Sequence, residues 1–522
     1  MMNLHRTMCR TITSLLLFMS LWSAAYASTY YVDSARGNDG NDGLSLEAPF
    51  RSLAHVRDLA LLPGDNVLLT AGSVWREPLV VKRSGSQQAP IFFGVVGIGP
   101  RPIINSSDVS EYGIAILNAE YVSISGFEIS NEGLPVTSRY GVLISAENFG
   151  VTHGINVSDL YIHDIRGTND RKDNGGIVFR ALGRLLPTRF EGLTIERNII
   201  WRVDRSGIAG ISDQVALDRW FPSRGVIIRD NYLEDIGGDG IVPRGTDGAL
   251  IEHNIVRHAA SRAPGYHVAI WQWSTDNSLI QLNEAAFTHG RYDGQGFDSD
   301  FNSRGTRIIF NYSHDNEGGF ALVCTPGIDG RGNIGNTGTV IRSNVSRNDG
   351  ARIFQLAGPI SDVLIEGNVI HVGNKQDVKM VVATQWQGWP ADVRFQKNSF
   401  AVSGTARYGH EIGRDGPDYL IAPQFTPTKN IHFRGNRFLG RHIDPPVDEK
   451  GHWYLDYQAP DLDWNVPVFD PSQPTGFPQF LSRHRGWMLR MLSRELGKTV
   501  RLQTPELTPE SQFRSKTPAP MR

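Results

Sequence analysis

The chain contains 522 residues, of which 40% are hydrophobic and 20% are charged. This composition is that of an ordinary globular protein and excludes the disordered and fibrous classes. Lysine and arginine (52) nearly balance aspartate and glutamate (54). Because the chain has no broad basic field, we expect neither nucleic acid nor an anionic membrane surface as a partner, and recognition must be local.

The amino-terminal segment has the pattern of a secretory signal. Arg6 and Arg10 precede an apolar run over residues 15–22, and residues 25–27 (Ala-Tyr-Ala) form a small-x-small cleavage pattern. The mature protein is predicted to start at Ser28. The run is too short to span a bilayer, and no later segment approaches about 18 uninterrupted apolar residues. We therefore expect a secreted or periplasmic protein that is monomeric and has no membrane anchor.

Cysteine content excludes a disulfide-stabilised fold. Only Cys324 remains once the predicted signal, which contains Cys9, is removed. A single cysteine cannot form an internal disulfide, so the stability of the fold must come from buried area and hydrogen bonds. We interpret Cys324 as a small buried hydrophobe.

An apolar residue followed three positions later by asparagine recurs through the middle of the chain. Successive asparagines are 23 to 38 residues apart. A short period lengthened by insertions fits one turn of a solenoid built from three strands, and the alternation within each unit is strand-like. Asparagine tolerates left-handed backbone angles and can bond to its copy in the next coil, which predicts a stacked ladder. The nine asparagines are Asn198, Asn231, Asn254, Asn283, Asn311, Asn344, Asn368, Asn398 and Asn436.

Weaker units extend the repeat towards the amino terminus. They cover residues 121–129 and 157–165, where Gly126 and Asp159 replace the asparagine. The predicted fold is all-β: a single-stranded, right-handed parallel β-helix of about 10–12 coils with short helical caps.

Two helical patterns are the predicted caps. Residues 52–61 would cover the first coil, and residues 477–496 would cap or dock on the last coil. The predicted division of the chain is residues 1–27 (signal peptide), 28–440 (parallel β-helix with its amino-terminal cap), 441–500 (carboxy-terminal loop and helical cap) and 501–522 (disordered tail).

Several segments resemble a known superfamily. Residues 30–33 (Tyr-Tyr-Val-Asp), 37–43 (Gly-Asn-Asp-Gly-Asn-Asp-Gly) and 49–53 (Pro-Phe-Arg-Ser-Leu) resemble the start of secreted right-handed β-helix proteins of the pectate-lyase-like superfamily. Residues 293–298 (Asp-Gly-Gln-Gly-Phe-Asp) and 312–320 (Tyr-Ser-His-Asp-Asn-Glu-Gly-Gly-Phe) resemble a carbohydrate-active subgroup. The resemblance covers most of the predicted solenoid. The superfamily includes polysaccharide lyases, glycoside hydrolases, uronan epimerases and non-catalytic surface proteins, so it leaves several functions open.

A second strand precedes the asparagine in each coil and defines an outward-facing column. Aligning the coils on this strand superposes residues 241–244, 270–273 and 297–300, followed by 320–323 and 353–356. If the first residue of each set points inward, the second and fourth point outward. The predicted outward pairs are Val242 and Arg244, Trp271 and Trp273, Asp298 and Asp300, and Ala321 and Val323.

This column has the chemistry of a polysaccharide groove. Adjacent coils stack at about 4.8 Å, so Trp271 and Trp273 would lie one rung from Asp298 and Asp300, with Arg244 one rung beyond. Indole faces stack on sugar rings, carboxylates act as acids, bases or metal ligands, and an arginine fork can hold an acidic sugar. The alternatives are tryptophans that pack under loops and aspartates that form a calcium site or a hydrogen-bonded structural pair. No other cofactor is predicted.

The two aspartates are the predicted catalytic core. Their Cα atoms would lie about 6.6 Å apart on one strand face. The carboxylates would then fit the ~6.5–9.5 Å separation of inverting glycosidases, or the closer separation of a retaining pair. Turn residues at the rim supply further candidates. Glu317, Asp293 and His267 are candidate acids or bases, and Asp239, His314 and Arg304 are candidates for binding substrate.

Three function classes follow from these residues. A polysaccharide-cleaving glycoside hydrolase with paired carboxylates ranks first. A lyase or C5-epimerase on uronic-acid polymers ranks second, and a non-catalytic carbohydrate-binding surface protein ranks third. Lysine is absent between Lys172 and Lys375, so we expect no lysine base on this face, but Arg244, His267 or Arg304 would still allow a lyase.

Overall fold

The protein is described by a computed structural model over residues 27–290, 292–328, 333–373, 376–412, 419–420, 430–455, 457, 464–501 and 503. All but the last residue of the predicted signal peptide and nearly all of the predicted tail lie outside the described residues. Within them, no helix is long and apolar enough to cross a membrane.

Three ladders of short parallel strands run the length of the molecule, and each coil adds one strand to each ladder. Strands of the first ladder are Thr29–Val32, Asn66–Thr70, Ile91–Val96, Val122–Ser125, Val151–Ser158, Arg189–Glu196, Ser223–Arg229, Leu250–Glu252, Leu279–Gln281, Arg307–Ile309, Val340–Arg342, Val363–Glu366, Val393–Gln396 and Ile431–Arg434. Strands of the second ladder are Val74–Trp75, Ile103–Asn105, Glu128–Glu132, Tyr161–Arg166, Ile199–Val203, Tyr232–Ile236, Ile255–Arg257, Glu284–Ala286, Tyr312–His314, Val345–Arg347, Val369–Val372, the first part of Ser399–Ile412, Arg437–Ile443 and His452–Tyr454.

The third ladder carries the candidate site. Its strands are Leu79–Val81, Tyr112–Leu117, Tyr140–Glu147, Gly175–Leu182, Ser206–Ser212, Ile241–Val242, Ile270–Asp276, Gln295–Ser299, Gly319–Cys324, Arg352–Ala357, Val378–Gln385 and the second part of Ser399–Ile412, against which Tyr419–Leu420 pairs in the antiparallel sense. Short strands between the third and first ladders are Arg244–Asp247, Ser303–Arg304 and Asn336–Thr337. The predicted all-β, right-handed parallel β-helix is confirmed.

The predicted asparagine ladder is present in all nine coils. Each of the nine side chains is fully buried. Asn231 is typical: its Oδ1 accepts hydrogen bonds from Asn198 N (3.0 Å) and Asn198 Nδ2 (3.0 Å), and its own Nδ2 donates to Ile195 O (3.0 Å). The last asparagine, Asn436, donates to Asp448 Oδ2 (2.7 Å), which ends the ladder. The repeated amide therefore satisfies the backbone at a buried corner of every coil.

Two details of the predicted ladder are wrong. The left-handed residue at the corner precedes the asparagine, as at Arg197 (φ 54°), and is not the asparagine itself. In the two weaker coils, the residues in the asparagine position are therefore Phe127 and Leu160, one residue after the expected Gly126 and Asp159. Both are fully buried, so an apolar side chain fills the corner where no polar ladder continues.

Two helices flank the solenoid, and the second does not dock where it was expected. The first helix, Leu53–Asp58, begins after Ser52, whose hydroxyl accepts from His55 N. The second helix, Phe477–Leu496, has the predicted bounds. It packs along the side of the second ladder, against residues such as Tyr232 and Tyr312, and not on the last coil. A 3₁₀ turn, Leu217–Arg219, lies in a loop.

A second buried polar stack includes a titratable group. Asn316 Oδ1 accepts from Thr288 N (2.9 Å), and Asp349 Oδ1 accepts from Asn316 N (3.0 Å) and Asn316 Nδ2 (2.8 Å). Ser346 Oγ donates to Asp349 Oδ2 (2.6 Å). Burial raises the pKa of Asp349 to about 6, although these hydrogen bonds and one from Ser313 oppose the increase.

We expect Asp349→Asn to remove a pH dependence of stability. Because the folded protein holds this proton up to about pH 6 and the unfolded chain releases it near pH 3.8, ionisation of Asp349 destabilises the folded state as pH rises through this window, by about 3 kcal/mol. Urea unfolding at about pH 4 and about pH 8 should show that the variant gains relative stability at the higher pH. An equal difference between wild type and variant at both pH values would contradict this assignment.

Candidate active site

The third ladder brings the predicted tryptophans and aspartates onto neighbouring rungs. Trp271 pairs with Asp298, and Arg244 pairs with Trp273, in the predicted register. The next coil departs from the predicted register, because Asp298 pairs with Leu322 and not with Ala321. The expected alternation fails here since two consecutive residues, Phe320 and Ala321, both contact the core. The outward pair in that coil is therefore Leu322 and Cys324, not Ala321 and Val323.

The outward tryptophans and aspartates line a cavity of about 260 Å³. It lies on the solvent side of the third ladder and is close to the lower end of the ~300–1,000 Å³ range of small-ligand pockets. The predicted residues in its wall are His267, Trp271, Trp273, Asp293, Asp298 and Asp300. The remaining wall residues are Lys172, Tyr266, Val268 and Phe301. The sequence did not single out any of these four as site residues.

Asp298 and Asp300 are close together and almost completely shielded from solvent. They are 2% and 7% exposed, and one oxygen of each lies within 4.8 Å of the other and of Cys324 Sγ. Asp300 Oδ1 accepts hydrogen bonds from Phe301 N (2.7 Å) and Cys324 Sγ (2.8 Å). These two donors fix the orientation of the Asp300 carboxylate. The buried Cys324 thus has a polar contact that its interpretation as a simple hydrophobe did not predict.

The donor set beside the aspartates argues against the calcium alternative. Calcium takes six to eight oxygen ligands, whereas thiolate sulfur suits softer metals. Among the described residues, the group that could hold an ion consists of Asp298, Asp300 and Cys324. Two carboxylates with a sulfur do not fit a calcium ion.

Lys172 enters the cavity from a loop three coils before the strand that carries Trp271. It lies between the strands Tyr161–Arg166 and Gly175–Leu182, and its Nζ contacts Asp239 Oδ2 (3.2 Å) and Tyr266 O (3.0 Å). The same Nζ lies 4.5 Å from the centre of the Trp271 ring. The expectation that no lysine reaches this face is therefore wrong, because a loop of an earlier coil folds across the strands that carry the site.

Asp239 supports the cavity from beneath and is not a rim residue. It is fully buried, and its Oδ1 accepts from Trp271 Nε1 (3.0 Å). Burial would raise the pKa of Asp239, but Lys172, His267 and Arg205 lower it well below its usual range. The predicted position of Asp239 at the rim is therefore wrong: its buried carboxylate contacts Trp271 and Lys172.

His267 lines the cavity, but both of its ring nitrogens contact protein groups. Nε2 lies 2.9 Å from Pro264 O, and Nδ1 lies 3.0 Å from an Arg205 nitrogen and 3.3 Å from Asp239 Oδ1. Pro264 O can only accept, so Nε2 carries a proton and donates to it, while Nδ1 lies between the Arg205 donor and the Asp239 acceptor. This arrangement orients the imidazole and does not favour the predicted role of His267 as an acid or base.

The two indoles form one wall of the cavity. Their ring centres are 6.3 Å apart with an angle of 25° between the planes. Trp273 contacts Phe301 edge to face at 5.0 Å, and the Arg244 guanidinium lies 4.0 Å from its ring centre. The Trp271 side chain is buried, with 4% of its surface exposed, whereas Trp273 is partly exposed to solvent. Trp273 therefore offers the larger surface to a sugar ring.

Besides Asp239 and Arg244, three predicted site residues lie outside the cavity wall. Glu317 is in a solvent-exposed turn, where its carboxylate pairs with His289 at 2.9 Å. His314 is on the second ladder and contacts Glu284 beneath the carboxy-terminal helix. Arg304 is on a short strand and pairs with Asp276. Glu317 was predicted at the rim because it precedes a strand of the outward column, and Arg304 because it follows Asp300, but in the structure both contact groups outside the cavity.

The three ladders and the buried asparagine stack define a right-handed parallel β-helix protein. The family described as "Right handed beta helix region" matches residues 103–285. A curated lacto-N-biosidase of Bifidobacterium longum subsp. longum is 28% identical over 66% of this chain and 27% of its own length. The chain thus spans about a quarter of that relative.

Solved structures give the same fold. The crystal structure of a GH136 lacto-N-biosidase from Eubacterium ramulus is 25% identical, with a TM-score of 0.62 over 82% of this chain and 68% of that chain. A structure of XylC in complex with xylose is 12% identical, with a TM-score of 0.51 over 82% of this chain and 86% of that chain. The second similarity concerns the fold alone.

Proposed function

We propose that the protein is an extracytoplasmic glycoside hydrolase that cleaves a glycan at the cavity lined by Asp293, Asp298 and Asp300. The observation that carries this proposal is the convergence of three buried carboxylates beside an indole wall. The similarity of this chain to two proteins named lacto-N-biosidase supports hydrolysis over other carbohydrate chemistry. The location rests on the signal pattern before Ser28.

The spacing of the carboxylates favours hydrolysis with retention. One oxygen of Asp298 and one of Asp300 are no more than 4.8 Å apart, which is shorter than the ~6.5–9.5 Å separation of inverting pairs and leaves the closer retaining pair as the compatible geometry. In such a reaction one carboxylate attacks the anomeric carbon while a carboxylic acid protonates the departing glycosidic oxygen. Water then breaks the glycosyl–enzyme bond, and the carboxylate that lost its proton to the leaving group takes one from this water.

The order of roles follows from the contacts of Asp300. Because Phe301 N and Cys324 Sγ both donate to its Oδ1, the ionised form of Asp300 is stabilised, which suits a nucleophile. Asp298 and Asp293 are then the candidates for the acid. Trp273 would hold the sugar ring by stacking, and the apolar wall would exclude water from the reacting bond.

The reaction products test this proposal. We expect new reducing ends without ultraviolet absorbance from an unsaturated sugar when the protein is incubated with a glycan panel that includes lacto-N-biose-terminated oligosaccharides. Added calcium should leave the rate unchanged, since the donor set does not fit calcium. Unsaturated products would instead establish a lyase, for which Lys172 supplies the basic group that the sequence had excluded from this face. A panel without any product from a folded protein would contradict both activities.

A further inference from the structure

A second cavity of about 290 Å³ adjoins the one that holds the aspartates, and the two share Lys172 and Trp273. It lies over the earlier coils of the third ladder. The rest of its wall consists of Arg171, Asp173, Ala209, Gly210, Ile211, Val242 and Arg244. The shared residues make the two cavities one continuous groove along the ladder.

The two ends of this groove carry opposite charge. The first cavity contains three aspartates against Lys172, whereas the second contains Arg171, Lys172 and Arg244 against Asp173. Arg171 has Asp173 as a partner (3.7 Å), and Lys172 has Asp239 (3.2 Å). Arg244 differs from both, because within the described part of the chain its guanidinium forms no ion pair.

Arg244 is nevertheless held in a fixed position. Its guanidinium stacks on Trp273 at 4.0 Å, and its buried Nε has no hydrogen-bond partner among the described residues. Burial lowers the pKa of Arg244, and Asp213, beyond ion-pair distance, opposes this effect only in part. A partly buried cation without a matching anion is costly to maintain, and a ligand anion would compensate it.

We propose that the second cavity is a subsite for a sugar that carries an acidic group, with Arg244 as its anchor. This inference rests on the proposed function, since it assigns the orientation of the glycan in the same groove. An acidic group would be repelled by the three aspartates and attracted by Arg244 and Lys172, so it must lie at the Arg244 end, two coils from the Asp298 and Asp300 coil. A guanidinium fork pairs with either a carboxylate or a sulfate.

Matched pairs of oligosaccharides test the subsite independently of turnover. Binding is measured with the Asp300→Asn variant on uronate oligomers and their methyl esters, sialylated oligosaccharides and their desialylated forms, and sulfated oligomers and their desulfated forms. We expect the acidic member of at least one pair to bind about 10-fold more tightly. The preference should fall at high ionic strength. The pair that shows it identifies the acid as a carboxylate or a sulfate.

Two arginine variants complete the test. Arg244→Gln, introduced into the Asp300→Asn protein, should abolish the preference for the acidic member and leave affinity for the neutral member within about 3-fold. Arg304→Gln is the matched control, because Arg304 has Asp276 as a partner and lies outside both cavities. No acidic preference, or one that survives Arg244→Gln, would overturn the subsite. Acidic binding without hydrolysis by the wild type would retain the subsite and refute the hydrolase.

Discussion

Asp300→Asn should lower turnover by about 10²–10⁴-fold while the protein remains folded. Asparagine keeps an oxygen in the place of Oδ1, so Phe301 N and Cys324 Sγ can still donate to it. The substitution therefore removes the negative charge but not the hydrogen bonds that position the side chain. Steady-state rates on the glycan identified by the panel, together with an unfolding curve, separate these two effects.

A second carboxylate variant serves as the control for this experiment. Glu317→Gln alters an exposed side chain that pairs with His289 outside the cavity, and we expect near-native turnover. Asp298→Asn and Asp293→Asn should each reduce turnover if the three aspartates act together. Near-native rates for Asp298→Asn and Asp300→Asn would show that the reaction occurs elsewhere.

Nuclear magnetic resonance of the first-formed product should show the retained anomer. An inverted product would exclude the short Asp298–Asp300 separation as the reacting geometry.

Repetition is the reason that the fold could be predicted from the sequence. The same apolar-to-asparagine motif appears in nine coils, and each asparagine makes the same buried contacts. Strand alternation then fixes which residues face outward within a coil, and this placed Trp271 opposite Asp298. The predicted outward pair was wrong where the inward–outward alternation of side chains is interrupted, as at Phe320 and Ala321. A single extra inward residue there reverses the face of every later residue in the same strand.

The loop contacts of the site could not be predicted in the same way. Lys172 is 67 residues from Asp239 in sequence, and nothing in the intervening pattern shows that its loop folds back over the third ladder. Cys324 reaches Asp300 only because the register shifts by one residue in its coil. Loops and insertions carry little periodic signal, so their contacts depend on the assembled structure.

The carboxy-terminal helix depends on a buried charge network that the sequence did not indicate. Glu284 is fully buried on the second ladder, and its carboxylate contacts Arg257 Nε (2.6 Å) and His484 Nε2 (2.6 Å). His314 lies 3.5 Å away. Burial would raise the pKa of Glu284, but Arg257, His484 and His314 hold it well below its usual range. The ionised carboxylate thus joins the helix to the side of the solenoid.

Glu284→Gln should reduce the free energy of unfolding by about 3–5 kcal/mol, because Arg257 would remain buried without its carboxylate. We expect the helix to undock first, so limited proteolysis should cleave near residues 477–496 before the solenoid is attacked. Asp230→Asn is the matched control: it removes the ion pair of the same helix through Arg485, which is 46% exposed, and should cost less than about 1 kcal/mol. Glu284 belongs to the second ladder and the aspartates to the third, so the folded variant should keep near-native turnover. Stability equal to that of Asp230→Asn would contradict a role for Glu284 in holding the helix.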